Sequence, residues 1–185
     1  MKKTLFLVAG RAGSGKDAVV TGACNRMGLK KIVSYTDAPI RDDQVEGREH
    51  FFVSKEKMDE ILKNEEIIAY TKIGDNRYCA TASQINDETK FYIIDPIGIK
   101  DIQNKNLDIN LKIVYIYADL ETRKKRMWKR TNFDADTRIA NEEAQFNEFE
   151  ESYGFDFMID NNINLQSSID DLCCYVYAND KHGAE

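Results

Sequence analysis

The chain has 185 residues, of which 42% are apolar and 31% are charged, and its formal net charge is −6. This length fits one compact domain, and a composition with only two prolines is typical of a soluble globular protein, not of a disordered or collagen-like chain. The acidic balance disfavours nucleic acid and membrane surfaces, so we expect neither as a partner.

The first predicted element is a buried strand at the N-terminus. Residues 4–9 form a short continuous apolar run closed by Gly10, the pattern of a strand covered on both faces of a parallel sheet. The run is too short for an export signal or a membrane span. The four cysteines also lack the spacing of a zinc or redox motif, so we expect reduced thiols and a cytoplasmic protein.

Similar apolar runs recur along the chain and alternate with helical patterns. This alternation is typical of βαβ units, and it predicts an α/β fold in which helices flank a parallel sheet. The further predicted strands are 31–35, 91–94, 112–117 and 157–159, and the predicted helices are 16–27, 97–104, 120–130, 136–150 and 165–177.

Two stretches break the alternation. Residues 36–82 read as an inserted subdomain, with a predicted helix at 55–64 and strands at 50–53 and 67–73. Residues 123–150 begin basic and end acidic around a turn-like centre, which predicts a mobile lid. The predicted core of the single domain then comprises 1–35, 83–122 and 151–185.

A glycine-rich segment follows the first strand and opens the first helix, the context that a phosphate-binding GxxxxGK[ST] motif requires. Glycines let backbone N–H groups converge on phosphate oxygens, the helix N-terminus adds a positive dipole end, and Lys16 supplies a charge for the outer phosphates. The segment therefore predicts a nucleoside triphosphate site. Its residues are Gly10, Arg11, Ala12, Gly13, Ser14, Gly15, Lys16 and Asp17.

One position departs from this motif. Asp17 stands where a serine or threonine normally binds the Mg²⁺ that accompanies the nucleotide. A carboxylate is also a hard oxygen ligand, but without metal its charge would repel the phosphates, so we predict strict Mg²⁺ dependence. Alternatively, Asp17 only interacts with the N-terminal dipole of the first helix.

Beyond this loop the sequence resembles guanylate kinases, a family of P-loop nucleoside monophosphate kinases. The similar segments occur in the family's order and cover most of the chain. They are VSYTDAPIR at 33–41, VEGREHFFV at 45–53, NRY at 76–78, AT at 80–81, DPIG at 95–98 and RMWKR at 126–130.

The resemblance implies roles for single residues. Arg41 and Tyr78 would hold the acceptor's phosphate, and Ser34 would contact its base. Arg126 and Arg130 would clamp the transferring phosphoryl group, and Arg138 is the nearest candidate for a further lid arginine. Guanidinium groups suit phosphate oxygens, but a solvated or RNA-binding helix face would also explain the basic cluster of Arg123, Arg126 and Arg130. An ion pair with Glu142 would explain Arg138 equally well.

The chain departs from the family pattern at several acceptor positions. Ala38 replaces a phosphate-binding arginine, and His50 stands where a tyrosine hydroxyl would help to hold the phosphate. Ala69 replaces a glutamate that accepts hydrogen bonds from guanine, which predicts a loss of about 1–3 kcal/mol of guanine preference. Asp95 either contacts the acceptor or Mg²⁺, or only caps the following helix.

The sequence therefore predicts an enzyme that moves the γ-phosphoryl group of ATP, with Mg²⁺, onto GMP, dGMP or another nucleoside monophosphate. Two alternatives remain open. One is a P-loop kinase of a phosphorylated small molecule that is not a nucleotide. The other is a guanylate-kinase-like module whose acceptor cleft binds a protein ligand.

Overall fold

The computed structural model describes residues 3–42, 44–128, 135–152 and 154–180, with the backbone alone at 135–138 and 141. Within these residues the chain forms nine strands and six α-helices. The strands are β1 Lys3–Ala9, β2 Lys30–Ile32, β3 Tyr35–Thr36, β4 Phe51–Phe52, β5 Ile67–Ile73, β6 Asn76–Thr81, β7 Thr89–Ile93, β8 Ile109–Tyr117 and β9 Phe157–Asp160. The helices are α1 Lys16–Met27, α2 Lys55–Asn64, α3 Pro96–Asn104, α4 Leu120–Trp128, α5 Ala135–Glu151 and α6 Leu165–Asn179.

The central sheet has five parallel strands in the order β2-β7-β1-β8-β9. Its middle strand β1 is buried on both faces, as its continuous apolar run predicts. Leu5 and Leu7 pack in one core cluster, whereas Phe6 and Val8 pack in a second cluster that includes residues of α1 and α6. The predicted α/β fold with a helix-flanked parallel sheet is confirmed.

The prediction of one continuous strand over 31–35 is wrong, because this segment passes from one sheet to another. Strand β2 pairs with β7 in the central sheet, whereas β3 pairs with β4 and β6 in a second sheet. Between them, the Val33 carbonyl accepts a hydrogen bond from Gln84 Nε2 at 2.6 Å. An apolar run reveals burial but not the pairing partner, so the sequence pattern did not show the break.

The insertion folds as a four-stranded sheet in the order β4-β3-β6-β5, with α2 on one face. Ser54 caps α2 by accepting a hydrogen bond from the Lys57 N–H, and Met58 and Ile61 of this helix pack beside Cys79 of β6. Strand β5 lies against α3, where the Tyr70 N–H donates to Asp101 Oδ2 at 2.8 Å. The second sheet is thereby held against the central one.

The predicted lid contributes to the core. Phe146 and Phe149 of α5 are buried in the same cluster as Leu5 and Tyr115. Residues 129–134, between α4 and α5, lie outside the described residues. None of the described helices is long and apolar enough to cross a bilayer.

Candidate active site

The phosphate-binding loop connects β1 to α1. Gly13 and Gly15 have φ angles of 79° and 87°, in the left-handed region that favours glycine. Gly10 is closely packed, since a Cβ there would lie 2.7 Å from the Ile116 carbonyl oxygen. The loop thus places successive backbone amides at the N-terminus of a 12-residue helix, a ready anion-binding arrangement.

Lys16 and Asp17 open helix α1 side by side. The distance from Lys16 Nζ to Asp17 Oδ2 is 4.0 Å, and the Asp17 side chain is 57% exposed. Its carboxylate is therefore accessible to a cation, and hard oxygen ligands suit Mg²⁺. The described residues contain no cluster of three acidic, histidine or cysteine side chains that would hold a metal alone. The role of Asp17 as a ligand of Mg²⁺ stays a prediction.

Asp95 caps helix α3. Its Oδ1 accepts a hydrogen bond from the Gly98 N–H at 2.7 Å, and Pro96 begins the helix, so Asp95 does cap α3. Burial raises the pKa of Asp95, against the opposing effect of the backbone hydrogen bonds and of the Lys16 charge. A contact of Asp95 with Mg²⁺ or the acceptor stays a prediction.

We call Ser34, Arg41, His50, Tyr78 and Asp95, the residues that the sequence assigned to the acceptor, the acceptor set. The rings of His50 and Tyr78 meet edge to face with centroids 5.4 Å apart. Burial lowers the pKa of His50, and the positive charge of Arg41 acts in the same direction, while Asp17 opposes it.

Ser34 of this set bonds to a buried tyrosine. Its Oγ lies 3.0 Å from the Tyr92 hydroxyl, and the two hydroxyls form a hydrogen bond. Ala69 and Ala80 face each other across β5 and β6, are 2% and 0% exposed, and pack in the same cluster as Tyr92. We call Ser34, Ala69, Ala80 and Tyr92 the acceptor floor. Its side chains contribute hydroxyls and methyl groups, and no carboxylate.

Arg126 lies along the phosphate-binding loop. Its guanidinium donates to the carbonyl oxygens of Ser14 at 3.0 Å and of Asn161 at 2.6 Å. These contacts hold α4 against the loop. Arg130 and the side chain of Arg138 lie outside the described residues, so the phosphoryl-clamping roles of the three arginines stay predictions.

Sequence reasoning missed Asn161, whose side chain holds the backbone of the phosphate-binding loop at Ser14. It is 1% exposed, its Nδ2 donates to the Ser14 carbonyl at 2.8 Å, and its Oδ1 accepts from the Ser168 hydroxyl at 3.0 Å. Asn161 directly follows β9. Because functional groups gather at the carboxyl ends of parallel strands, its position after a predicted strand was the available signal.

Comparison with known proteins identifies the family. The model of the guanylate kinase family matches residues 1–178. The chain belongs to the guanylate kinase family. The resemblance predicted from the segments between 33 and 130 is thereby confirmed.

Two relatives of this guanylate kinase family member match it over most of their length. The guanylate kinase of Fusobacterium nucleatum is 27% identical over 173 residues, covering 91% of this chain and 92% of the relative. That of Buchnera aphidicola subsp. Baizongia pistaciae is 28% identical over 180 residues, covering 92% and 86%. In fold, the chain is similar to the crystal structure of guanylate kinase from Anaplasma phagocytophilum, with a TM-score of 0.70, 18% identity and coverage of 98% and 89%.

Proposed function

We propose that this guanylate kinase family member transfers the γ-phosphoryl group of ATP to the phosphate of a nucleoside monophosphate. The observation that carries the proposal is the glycine-rich loop, which joins a buried parallel strand to a helix and presents Lys16 beside it. Such a loop binds the outer phosphates of a nucleotide. The names of the relatives support a nucleoside monophosphate as the acceptor.

The acceptor set supports the second half of the reaction. The positive charge of Arg41, the imidazole nitrogens of His50 and the hydroxyl of Tyr78 are suited to an acceptor phosphate. The charge of Asp17 acts on His50, which supports proposed donor and acceptor sites that lie near each other. Phosphoryl transfer needs mainly alignment and neutralisation of charge, so no covalent intermediate is required.

Mg²⁺ belongs to the same proposal. Asp17 would hold the ion at the end of the loop, and the ion would neutralise charge on the phosphates. Lys16 and the loop amides orient the donor, and the arginines of the 123–150 region contribute further positive charge. An intact phosphate-binding loop favours this kinase over a module that only binds proteins.

The proposal is tested by incubating the protein with ATP, Mg²⁺ and a panel of ribo- and deoxynucleoside monophosphates, while ADP is measured. We expect at least one monophosphate to raise ADP formation well above background hydrolysis. Lys16→Met should abolish the activity, whereas Arg41→Ala should chiefly raise the KM of the acceptor. If no acceptor stimulates ADP formation, the kinase assignment fails.

A further inference from the structure

Two residues of the phosphate-binding loop are bound to helix α5. The Ala12 N–H donates to both carboxylate oxygens of Glu142, at 2.8 and 3.0 Å. The Arg11 guanidinium donates to the carboxylate of Glu150 through Nε at 2.8 Å and Nη2 at 3.0 Å, and also to Asn147 Oδ1 at 2.7 Å. The loop and the helix are more than 120 residues apart in sequence, so only folding joins them.

These contacts are partly buried. The side chains of Arg11, Glu142 and Glu150 are 11%, 13% and 33% exposed. Arg11 also lies over the ring of Phe146, with 5.4 Å between its guanidinium carbon and the ring centroid, and Tyr115 donates a hydrogen bond to Glu150. Hydrogen bonds to ionised groups are stronger than neutral ones, and a partly buried site weakens them little by screening.

Arg123 balances the charge of Glu142. Its Nη1 lies 3.5 Å from Glu142 Oε1, and the residue is 6% exposed. Its Nε and Nη1 have no hydrogen-bond partner in the part of the chain that the structure describes. The Arg123 charge is thus directed at Glu142, so that a carboxylate is tolerated next to a loop that binds anions.

The backbone of α4 also touches the loop at this point. A Cβ on Gly13 would lie 2.7 Å from the Arg123 carbonyl oxygen, so the loop and helix backbones are in close contact. Glu142 therefore holds the peptide between Arg11 and Ala12 from one side, while α4 supports the next residue. The orientation of that peptide determines where the following amides point, and those amides are the phosphate ligands of the proposed function.

We propose that Glu142 is a positioning residue for the phosphate-binding loop. It sets the direction of the loop amides through the Ala12 N–H, without touching the nucleotide, and the ion pair with Arg123 holds it in place. The proposal rests on the proposed function in one respect, since it takes the donor nucleotide to bind at this loop. It predicts that α5 affects binding of the donor nucleotide and not binding of the acceptor.

The variant Glu142→Ala tests the proposal. The KM for ATP should rise about tenfold, because the orienting hydrogen bond is lost, while the acceptor KM stays the same. Glu142→Gln should restore ATP binding to within about threefold of the wild type, because its amide oxygen still accepts the Ala12 N–H. Glu143→Ala, which changes the exposed neighbour on the same helix, is the matched control and should leave both KM values unchanged.

Calorimetric titration with a non-hydrolysable ATP analogue and Mg²⁺ gives a second readout that needs no turnover. Glu142→Ala should bind the analogue about tenfold more weakly, in proportion to its KM. If this variant does not fold, Glu142→Asp, which keeps the charge but shortens the side chain, should show the same weakening. Wild-type affinity in the folded variant, or an equal rise of both KM values, overturns the proposal.

The same titration separates this proposal from the proposed function. A wild type that binds the analogue but phosphorylates no monophosphate contradicts the kinase assignment, and the Glu142 comparison still decides the role of Glu142. A wild type that binds no analogue contradicts both.

Discussion

The hydroxyl of Ser34 lies 3.0 Å from that of Tyr92, and Tyr92 packs in one buried cluster with the methyl groups of Ala69 and Ala80. Guanine offers hydrogen-bond donors at N1 and at its exocyclic amino group, which a carboxylate would accept. On the acceptor floor, hydroxyl oxygens are the side-chain acceptors, and Ser34 and Tyr92 already bond to each other. The hydrogen bond between the Ser34 and Tyr92 hydroxyls therefore affects which base the enzyme prefers.

We predict a weak preference for the guanine amino group. IMP lacks this group, so GMP and IMP should be used with kcat/KM values within about threefold of each other, since a missing buried carboxylate removes the main source of discrimination. Measurement of ADP formation with each nucleotide checks this. A preference for GMP above about a hundredfold would contradict it.

A gain-of-specificity variant tests the same floor. Ala69→Glu adds the missing carboxylate, and Tyr92→Leu in the same protein makes room for it among the buried side chains. The double variant should raise the GMP to IMP ratio by about tenfold, the value of one satisfied buried hydrogen bond. Tyr92→Leu alone is the control, and the tenfold rise is measured relative to it, because loss of the Tyr92 hydroxyl also frees that of Ser34.

Asp17 should make nucleotide binding depend on metal. Without Mg²⁺ its carboxylate repels the phosphates, and with Mg²⁺ it becomes a ligand. Asp17→Ser should therefore bind ATP more tightly than the wild type in EDTA, by about tenfold, and no more tightly with Mg²⁺ present. Titrations under both conditions measure the difference. An equal effect of Mg²⁺ on ATP affinity in the two proteins would show that Asp17 only interacts with the dipole of the first helix.

His50 should make stability fall in mild acid. Burial lowers its pKa below the usual 6.5, so the unfolded chain takes up the proton more readily than the folded one. The contribution of neutral His50 is present above about pH 6.5 and is lost as the pH falls towards the lowered pKa. Thermal unfolding between pH 7.5 and 5.5 measures this loss.

His50→Phe is the matched variant for this titration. Phenylalanine keeps an aromatic ring beside Tyr78 and Phe52, whose centroids lie 5.4 and 5.8 Å from that of His50, but it does not titrate. The variant should lose stability less steeply over the same pH range. Identical pH profiles for the two proteins would show that His50 contributes nothing to the acid sensitivity.

Gly13 should tolerate alanine much less well than Gly74. Both have positive φ angles, 79° and 59°, so each substitution costs about 1 kcal/mol of backbone strain. A Cβ on Gly13 also meets the Arg123 carbonyl oxygen at 2.7 Å, whereas nothing lies within 4 Å of one on Gly74. Gly13→Ala should therefore lower the free energy of unfolding further and abolish binding of the ATP analogue. Equal losses in urea unfolding would contradict this.

The helix-flanked parallel sheet could be predicted from the sequence pattern, because buried strands need continuous apolar runs and the long segments between them need helices. It also located the phosphate-binding loop, since a glycine-rich turn between a strand and a helix depends on neighbouring residues alone. The cap of α3 by Asp95 could be predicted for the same reason. In each of these cases the interacting groups are close in sequence.

The groups that meet from distant parts of the chain could be identified only in the folded structure. It divided the 31–35 segment between two sheets, placed Tyr92 under Ser34, and brought Glu142 and Asn161 to the phosphate-binding loop. Hydrogen bonds between residues more than 50 positions apart leave no periodic pattern in the sequence, because their partners are chosen by packing. Local motifs therefore predicted the loop itself, and the folded chain determined the side chains that hold it in shape.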